Sequence, residues 1–177
     1  VSFDRPIDSS DMNILQWQSI VKIVQSSYED FEGFVVLHGS DTMSYTASAL
    51  SFMLKGIGKA VVLTGSQLPI GTIRTDGKEN LITAIEIAAA TKDGNPLIPE
   101  VSVYFEYNLY RGNRTSKVNS EDFEAFHSYN YPYLAEAGVH IKYNHNAIHN
   151  RKNEEFETYL NLDENVAILK LFPGINK

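Results

Sequence analysis

Short, uninterrupted apolar runs alternate along this chain with stretches of helical period, and that alternation limits the fold more than any other feature. "GFVVLHG" (33–39) and "KAVVLTG" (59–65) read as strands buried on both faces. Between them, Met43, Ala47, Leu50 and Leu54 recur at spacings of three and four, which places them on one face of a helix. Residues 79–90 repeat that plan with Leu81, Ala84, Ile85 and Ala88. Residues 11–27 do so with Ile14, Trp17, Val21 and Val24, behind Ser10 or Asp11 as the N-cap. "VSFDRPI" (1–7), "EVSVYFEYNLY" (100–110), "GVHIKY" (138–143) and "VAILKLF" (166–172) read as further strands, and residues 120–127 as helical. The Asn- and charge-rich segment 143–165 reads as an exposed loop or hairpin. Strands that alternate with amphipathic helices specify a layered α/β fold with a mostly parallel sheet.

In such sheets ligands bind beyond the carboxyl ends of the strands. Polar clusters stand at those ends: Asp8-Ser9-Ser10, Gly39-Ser40-Asp41 and Thr64-Gly65-Ser66-Gln67. A loop with Arg111, Arg114 and Lys117 follows a fourth strand. Helix starts behind Ser10 and Asp41 aim backbone N–H groups at the same rim, which suits a carboxylate or an oxyanion. A carboxylate paired with Lys117 could hold that amine beside a hydroxyl and help to activate it. The set describes a hydroxyl-nucleophile amide hydrolase for a small zwitterion. Taken singly, each cluster reads first as a helix cap, because N-cap positions favour these residue types strongly.

Composition closes off other classes. The net charge of -7 argues against nucleic acid, because a phosphate-binding face needs clustered Lys and Arg. No apolar run approaches the roughly 20 residues that cross a bilayer as a helix. With no cysteine there is neither a disulfide nor a thiolate metal site, which fits a reducing compartment. His145 and His149, four apart, lack an obvious acidic third ligand, so no metal or other cofactor is expected. His38 reads as a packed, hydrogen-bonded residue at a strand end, and Arg111 and Arg114 as structural supports of the loop carrying Lys117. A start at Val1 in mid-pattern reads as a truncated chain.

Five motifs then occur in order: "DSSDM" (8–12), "LHGSDTMSYTASALSFML" (37–54), "TGSQLP" (64–69), "RTDGKEN" (74–80) and "LYRGNRTSK" (109–117). Together they resemble the N-terminal domain of the type I, cytoplasmic bacterial L-asparaginases. The resemblance implies a single three-layer domain over 1–177, Rossmann- or flavodoxin-like, with helices on both faces of the sheet. It implies hydrolysis of the side-chain amide of L-asparagine to L-aspartate and ammonia through an acyl-enzyme, in a cytoplasmic homodimer or homotetramer. Ser40, Asp41 and Lys117 match the catalytic hydroxyl, acid and lysine of the family's second motif pair. Asp8, Ser9, Ser10 and Gly39 match its substrate-binding segment. Asp41 would bind the α-amino group and orient Lys117, while Ser40 would assist proton movement or position water.

Two departures stand out. Ser40 replaces the usual Thr, and the "TGGT" turn that carries the family's nucleophile does not occur in these 177 residues. The expectation is an incomplete domain, without its first strand or the C-terminal domain, that does not turn over alone. The asparaginase-like subunit of a tRNA-dependent amidotransferase shares related motifs and is the alternative enzyme. A non-catalytic module for asparagine or aspartate is the alternative without chemistry.

Overall fold

The computed structural model describes residues 1–120, 122–150 and 154–175. A 3₁₀ turn (Ser9–Asp11) precedes α1 (Ile14–Ser26), β1 (Gly33–Leu37), α2 (Met43–Met53), β2 (Leu54–Lys55), β3 (Ala60–Thr64) and α3 (Gly77–Ala89). Then come β4 (Thr91–Lys92), β5 (Asn95–Pro96), β6 (Val101–Phe105), β7 (Asn108–Arg111) and a second 3₁₀ turn (Gly112–Arg114). β8 (Ser116–Lys117), β9 (Phe126–His127), β10 (Ala135–Ala137), β11 (Ile141–Tyr143) and β12 (Glu157–Thr158) complete the order.

Six strands form the main sheet in the order β1-β3-β6-β7-β10-β11. The first three are parallel, and β7, β10 and β11 extend the sheet as an antiparallel meander. The sheet is therefore mixed, whereas the sequence pattern pointed to a mostly parallel one. Helices cover both faces, as expected. Val61, Leu63, Val101 and Val103 pack with residues of α1 and α2, while Ala60, Val62 and Tyr104 pack with residues of α3. β3 lies at the centre of the parallel part and all five of its residues are buried.

Several local expectations change. Among the described residues β1 pairs only with β3, so it is half-buried, not enclosed, and Leu37 is 65% exposed. Residues 1–7 form no strand, and residues 166–172 form none either, leaving Ile168 96% exposed. The apolar and β-branched residues of those segments encode strand propensity without supplying a neighbour to pair with. Residue 121 of the expected helix 120–127 lies outside the described residues; its described neighbours include no helix, and Phe126–His127 is strand β9. Part of 143–165, residues 151–153, also lies outside them, but β12 within that segment pairs with β2. On α3 it is Ile87 that is buried, and Ile85 is exposed. Asn13, not Ser10 or Asp11, caps α1 through a capping box with Gln16. Residues 9–11 are thereby left as a separate turn, capped by Asp8.

The segment 100–110 is two strands, not one. Glu106 and Tyr107 reverse the chain with φ of 44° and 69°, the backbone of a two-residue hairpin. Neither residue favours that region, so the turn carries none of the Asn-Gly or Asp-Gly signal that marks such hairpins. A left-handed conformation costs an ordinary residue about 1–2 kcal/mol. The double substitution Glu106→Asn, Tyr107→Gly is expected to raise unfolding stability by about 1 kcal/mol or more. A denaturant titration checks this, and an unchanged or lower midpoint would contradict the hairpin geometry.

Candidate active site

The site lies where β1 ends and α2 begins. Lys117 Nζ donates to Ser40 Oγ at 3.0 Å and to Asp41 Oδ1 at 2.7 Å, joining segments 76 and 77 residues apart. The lysine side chain is 13% exposed and the aspartate 63%. An ammonium has only donors, so the Ser40 oxygen accepts here and its own hydrogen is free to point onward. Lys117 is thus poised to stabilise negative charge near the hydroxyl, and must lose a proton before it can act as a base. An open cavity of about 520 Å³ adjoins the pair, with Ser44, Tyr45, Ser48 and Thr115 among its walls.

Lys117 reaches Asp41 because its loop lies directly on α2. A Cβ at Gly112 would stand 3.0 Å from the Ala47 carbonyl oxygen and 2.8 Å from Ser51 Oγ, both on that helix. β8 then pairs with β9, Lys117 opposite Phe126, and Thr115 Oγ1 donates to the Arg111 carbonyl. Arg111 is structural, as its sequence context implied. Its guanidinium pairs with Glu100 at 2.6 and 3.1 Å, donates to the Ala147 carbonyl, and stacks 4.3 Å from the Tyr131 ring. Arg114 is exposed.

The Asp8-Ser9-Ser10 turn meets the same loop from the other side. Thr42 Oγ1 donates to the Ser9 carbonyl, and a Cβ on Gly39 would fall 2.5 Å from Ser9 Oγ. Ser9 is buried, whereas Ser10 is exposed and gives both its N–H and its hydroxyl to Asp8 Oδ1 at 2.9 Å. The Ser10 backbone N–H, followed by the Ser10 hydroxyl, holds the Asp8 carboxyl below its usual range. Asp8 in this state is occupied in holding its own turn. From the β3 side, Gln67 Nε2 donates to the Ser120 and Asp122 carbonyls, just beyond Lys117. The Gln67 and Leu68 backbone N–H groups bind the Asp76 carboxylate.

Sequence reasoning missed Thr46 and Trp17. Trp17 Nε1 donates to Thr46 Oγ1 at 2.9 Å, and that hydroxyl lies 2.8 Å from His38 Nε2. The other ring nitrogen, Nδ1, is 2.7 Å from the Gly39 carbonyl. The signal that could have found them is a lone threonine on the apolar face of α2, because a buried hydroxyl needs a partner. Among the described residues no cluster of three His, Cys, Asp or Glu could hold a metal; His149 lies 3.8 Å from Glu154.

Comparison with known proteins identifies the family of this chain. The family model described as "Asparaginase, N-terminal" matches residues 1–149. "L-asparaginase 1" of Escherichia coli strain K12 is 44% identical over 170 residues, 96% of this chain and 49% of that protein, so the chain spans about half the relative's length. The crystal structure of L-asparaginase I from Vibrio cholerae O1 biovar eltor superposes with a TM-score of 0.88 at 40% identity, covering 98% of this chain and 52% of that one. One subunit of the glutamyl-tRNA(Gln) amidotransferase from Pyrococcus abyssi is 33% identical, over 96% of this chain and 40% of that protein.

Burial depresses the His38 imidazole below its ordinary 6.5, an effect the Gly39 carbonyl partly offsets. Just below pH 6.5 the unfolded chain therefore binds more protons than the folded one. His38 contributes stability that is present above that pH and lost as pH falls through the depressed folded value. His38→Gln is expected to flatten the fall in unfolding free energy as pH drops below about 6.5. Chemical denaturation at several pH values reads this, and equal slopes in the two proteins would refute it.

Proposed function

The chain belongs to the asparaginase family, matching its N-terminal model, and from that premise we propose that the whole protein hydrolyses the side-chain amide of L-asparagine. The observation that carries this reading is the Lys117 ammonium held by Asp41 at 2.7 Å and by Ser40 at 3.0 Å. In this reading a hydroxyl attacks the amide carbon, the nitrogen leaves as ammonia after taking up a proton, and water releases aspartate from the ester. Lys117 places positive charge where negative charge develops. Ser40 relays a proton or orients the water, and Asp41 fixes the lysine and receives the substrate ammonium. The Ser9 turn, with Asp8, Ser10 and Gly39, forms the wall for the α-carboxylate and α-amino group. The attacking hydroxyl is assigned, by likeness to the family, to a segment outside these 177 residues.

Resemblance to the type I enzymes, together with a cysteine-free chain, supports a bacterial cytoplasmic setting and a homodimer or homotetramer as the working form. No helix of the described residues is long and apolar enough to cross a membrane. The amidotransferase-subunit reading has less behind it, since that relative is 33% identical against 44% for the asparaginase.

Two measurements test the proposal. Ammonia release from L-asparagine is expected in the whole protein and absent in the 177-residue chain, and Lys117→Met should lower turnover in the whole protein by about 10²-fold or more. Calorimetry should show weak L-aspartate binding to the 177-residue chain, abolished by the same substitution. Turnover by the 177-residue chain would overturn the placement of the nucleophile, and an unaffected Lys117→Met enzyme would overturn the site.

A further inference from the structure

Thr46 lies on the buried face of α2 and is 0% exposed. Its hydroxyl sits between Trp17 Nε1 and His38 Nε2, at 2.9 and 2.8 Å. Chemistry sets the direction of every bond in this line. An indole N–H can only donate, so Thr46 Oγ1 accepts from Trp17. The Gly39 carbonyl, 2.7 Å from His38 Nδ1, can only accept, so Nδ1 carries hydrogen. Burial opposes a second proton on the ring. Nε2 is then a bare lone pair, and the Thr46 hydroxyl donates to it. The line runs Trp17 to Thr46 to His38 to Gly39, with no freedom to reverse while the ring is neutral.

Its last member belongs to the site. The Gly39 carbonyl lies in the same peptide plane as the Ser40 nitrogen, so a fixed carbonyl fixes the plane from which Ser40 and Asp41 depart. The other side of Gly39 is closed by Ser9, which leaves no room for a side chain there. That peptide is held between the imidazole and the Ser9 turn.

We propose that Thr46 is a positioning residue: by donating to His38 Nε2 it holds the Nδ1–H ring against the Gly39 carbonyl and so sets the turn that presents Ser40 and Asp41 to Lys117. The inference rests on the reading of that trio as part of an amidohydrolase site. A threonine that served only to satisfy the indole would leave the turn unchanged when removed.

The test compares the native chain with Thr46→Val, which keeps the shape without the hydroxyl, and Thr46→Ser, which keeps the hydroxyl. Imidazole ¹⁵N NMR reports the Nε2 nitrogen, the Ser40 and Asp41 amide signals report the turn, and calorimetry reports L-aspartate affinity. Thr46→Val is expected to move the Nε2 signal of a ring that has lost its donor, displace both amide signals and weaken aspartate binding about tenfold, the order of one lost hydrogen bond. Thr46→Ser is expected to keep all three near native. If Thr46→Val leaves the Ser40 and Asp41 signals unmoved, the proposal is overturned, as it is if Thr46→Ser behaves like Thr46→Val. A native chain that does not bind aspartate counts against the amidohydrolase reading alone, because the imidazole and amide signals decide the positioning without a ligand.

Discussion

The close approach of Gly112 to helix α2 is the contact on which the site depends. Lys117 and Asp41 are 76 residues apart, and their ion pair is too weak to bring them together. With Asp41 63% exposed, such a pair contributes about 0–1 kcal/mol. The loop is instead fixed upstream. Gly112 sits against Ala47 and Ser51, and the adjoining Arg111 is locked to a Glu100 side chain only 5% exposed. Breaking a buried pair of that kind from one side costs about 3–5 kcal/mol. The lysine is thus delivered to the aspartate by backbone packing, and most of its rotamer entropy is already lost on folding.

The same economy of side-chain function runs around the rim. Most groups that shape the loops at the strand ends are bound to backbone. Asp76 accepts from two successive N–H groups, Gln67 donates to two carbonyls, Thr42 donates to the Ser9 carbonyl, and His38 holds the Gly39 carbonyl. Loops after β1, β3 and β7 are tied in this way to positions that do not depend on a ligand. Ser40 and Lys117 are left to face one another, and a cavity is left beside them. A pre-formed polar site of this kind costs little reorganisation when charge develops in it.

How much of this was legible in the sequence follows from what periodicity records. It records burial, so the helix that carries Met43, Ala47 and Leu50 and the strand Ala60–Thr64 emerge where expected, with those three helix residues and all five strand residues buried. It does not record neighbours. Among the described residues Val166 to Phe172, an apolar run broken only by Lys170, pairs with nothing, while β1 has the apolar run of an enclosed strand and a neighbour on one side only. Nor does it record turns that break the usual preferences, and so Glu106-Tyr107 concealed a hairpin inside one apparent strand. The site was legible differently. Ser40, Asp41 and Lys117 were picked out by residue type and motif order, and the structure brings these three within hydrogen-bond distance. Asp8 and Ser10 lie on the adjacent turn but are spent on each other. Thr46 and Trp17 escaped notice because each, read alone, is an ordinary helix residue.

Ser40 itself shows how a local departure can be absorbed. The family's usual threonine carries a methyl that restricts χ1, and serine lacks it, so a freer hydroxyl would be expected. Here the rotamer is constrained from outside: Lys117 Nζ lies 3.0 Å from the oxygen, and the lysine is held in turn by Asp41. A charge-assisted hydrogen bond is worth about 1.5–3 kcal/mol, enough to outweigh the rotamer freedom that a serine regains. The direction of that bond matters as much as its strength. Because the ammonium donates, the serine oxygen is oriented by the cation while its hydrogen stays available for an acceptor in the cavity. A hydroxyl fixed through its oxygen and free at its hydrogen is arranged to donate. The substitution therefore keeps the hydroxyl and transfers its restraint from a methyl to a lysine.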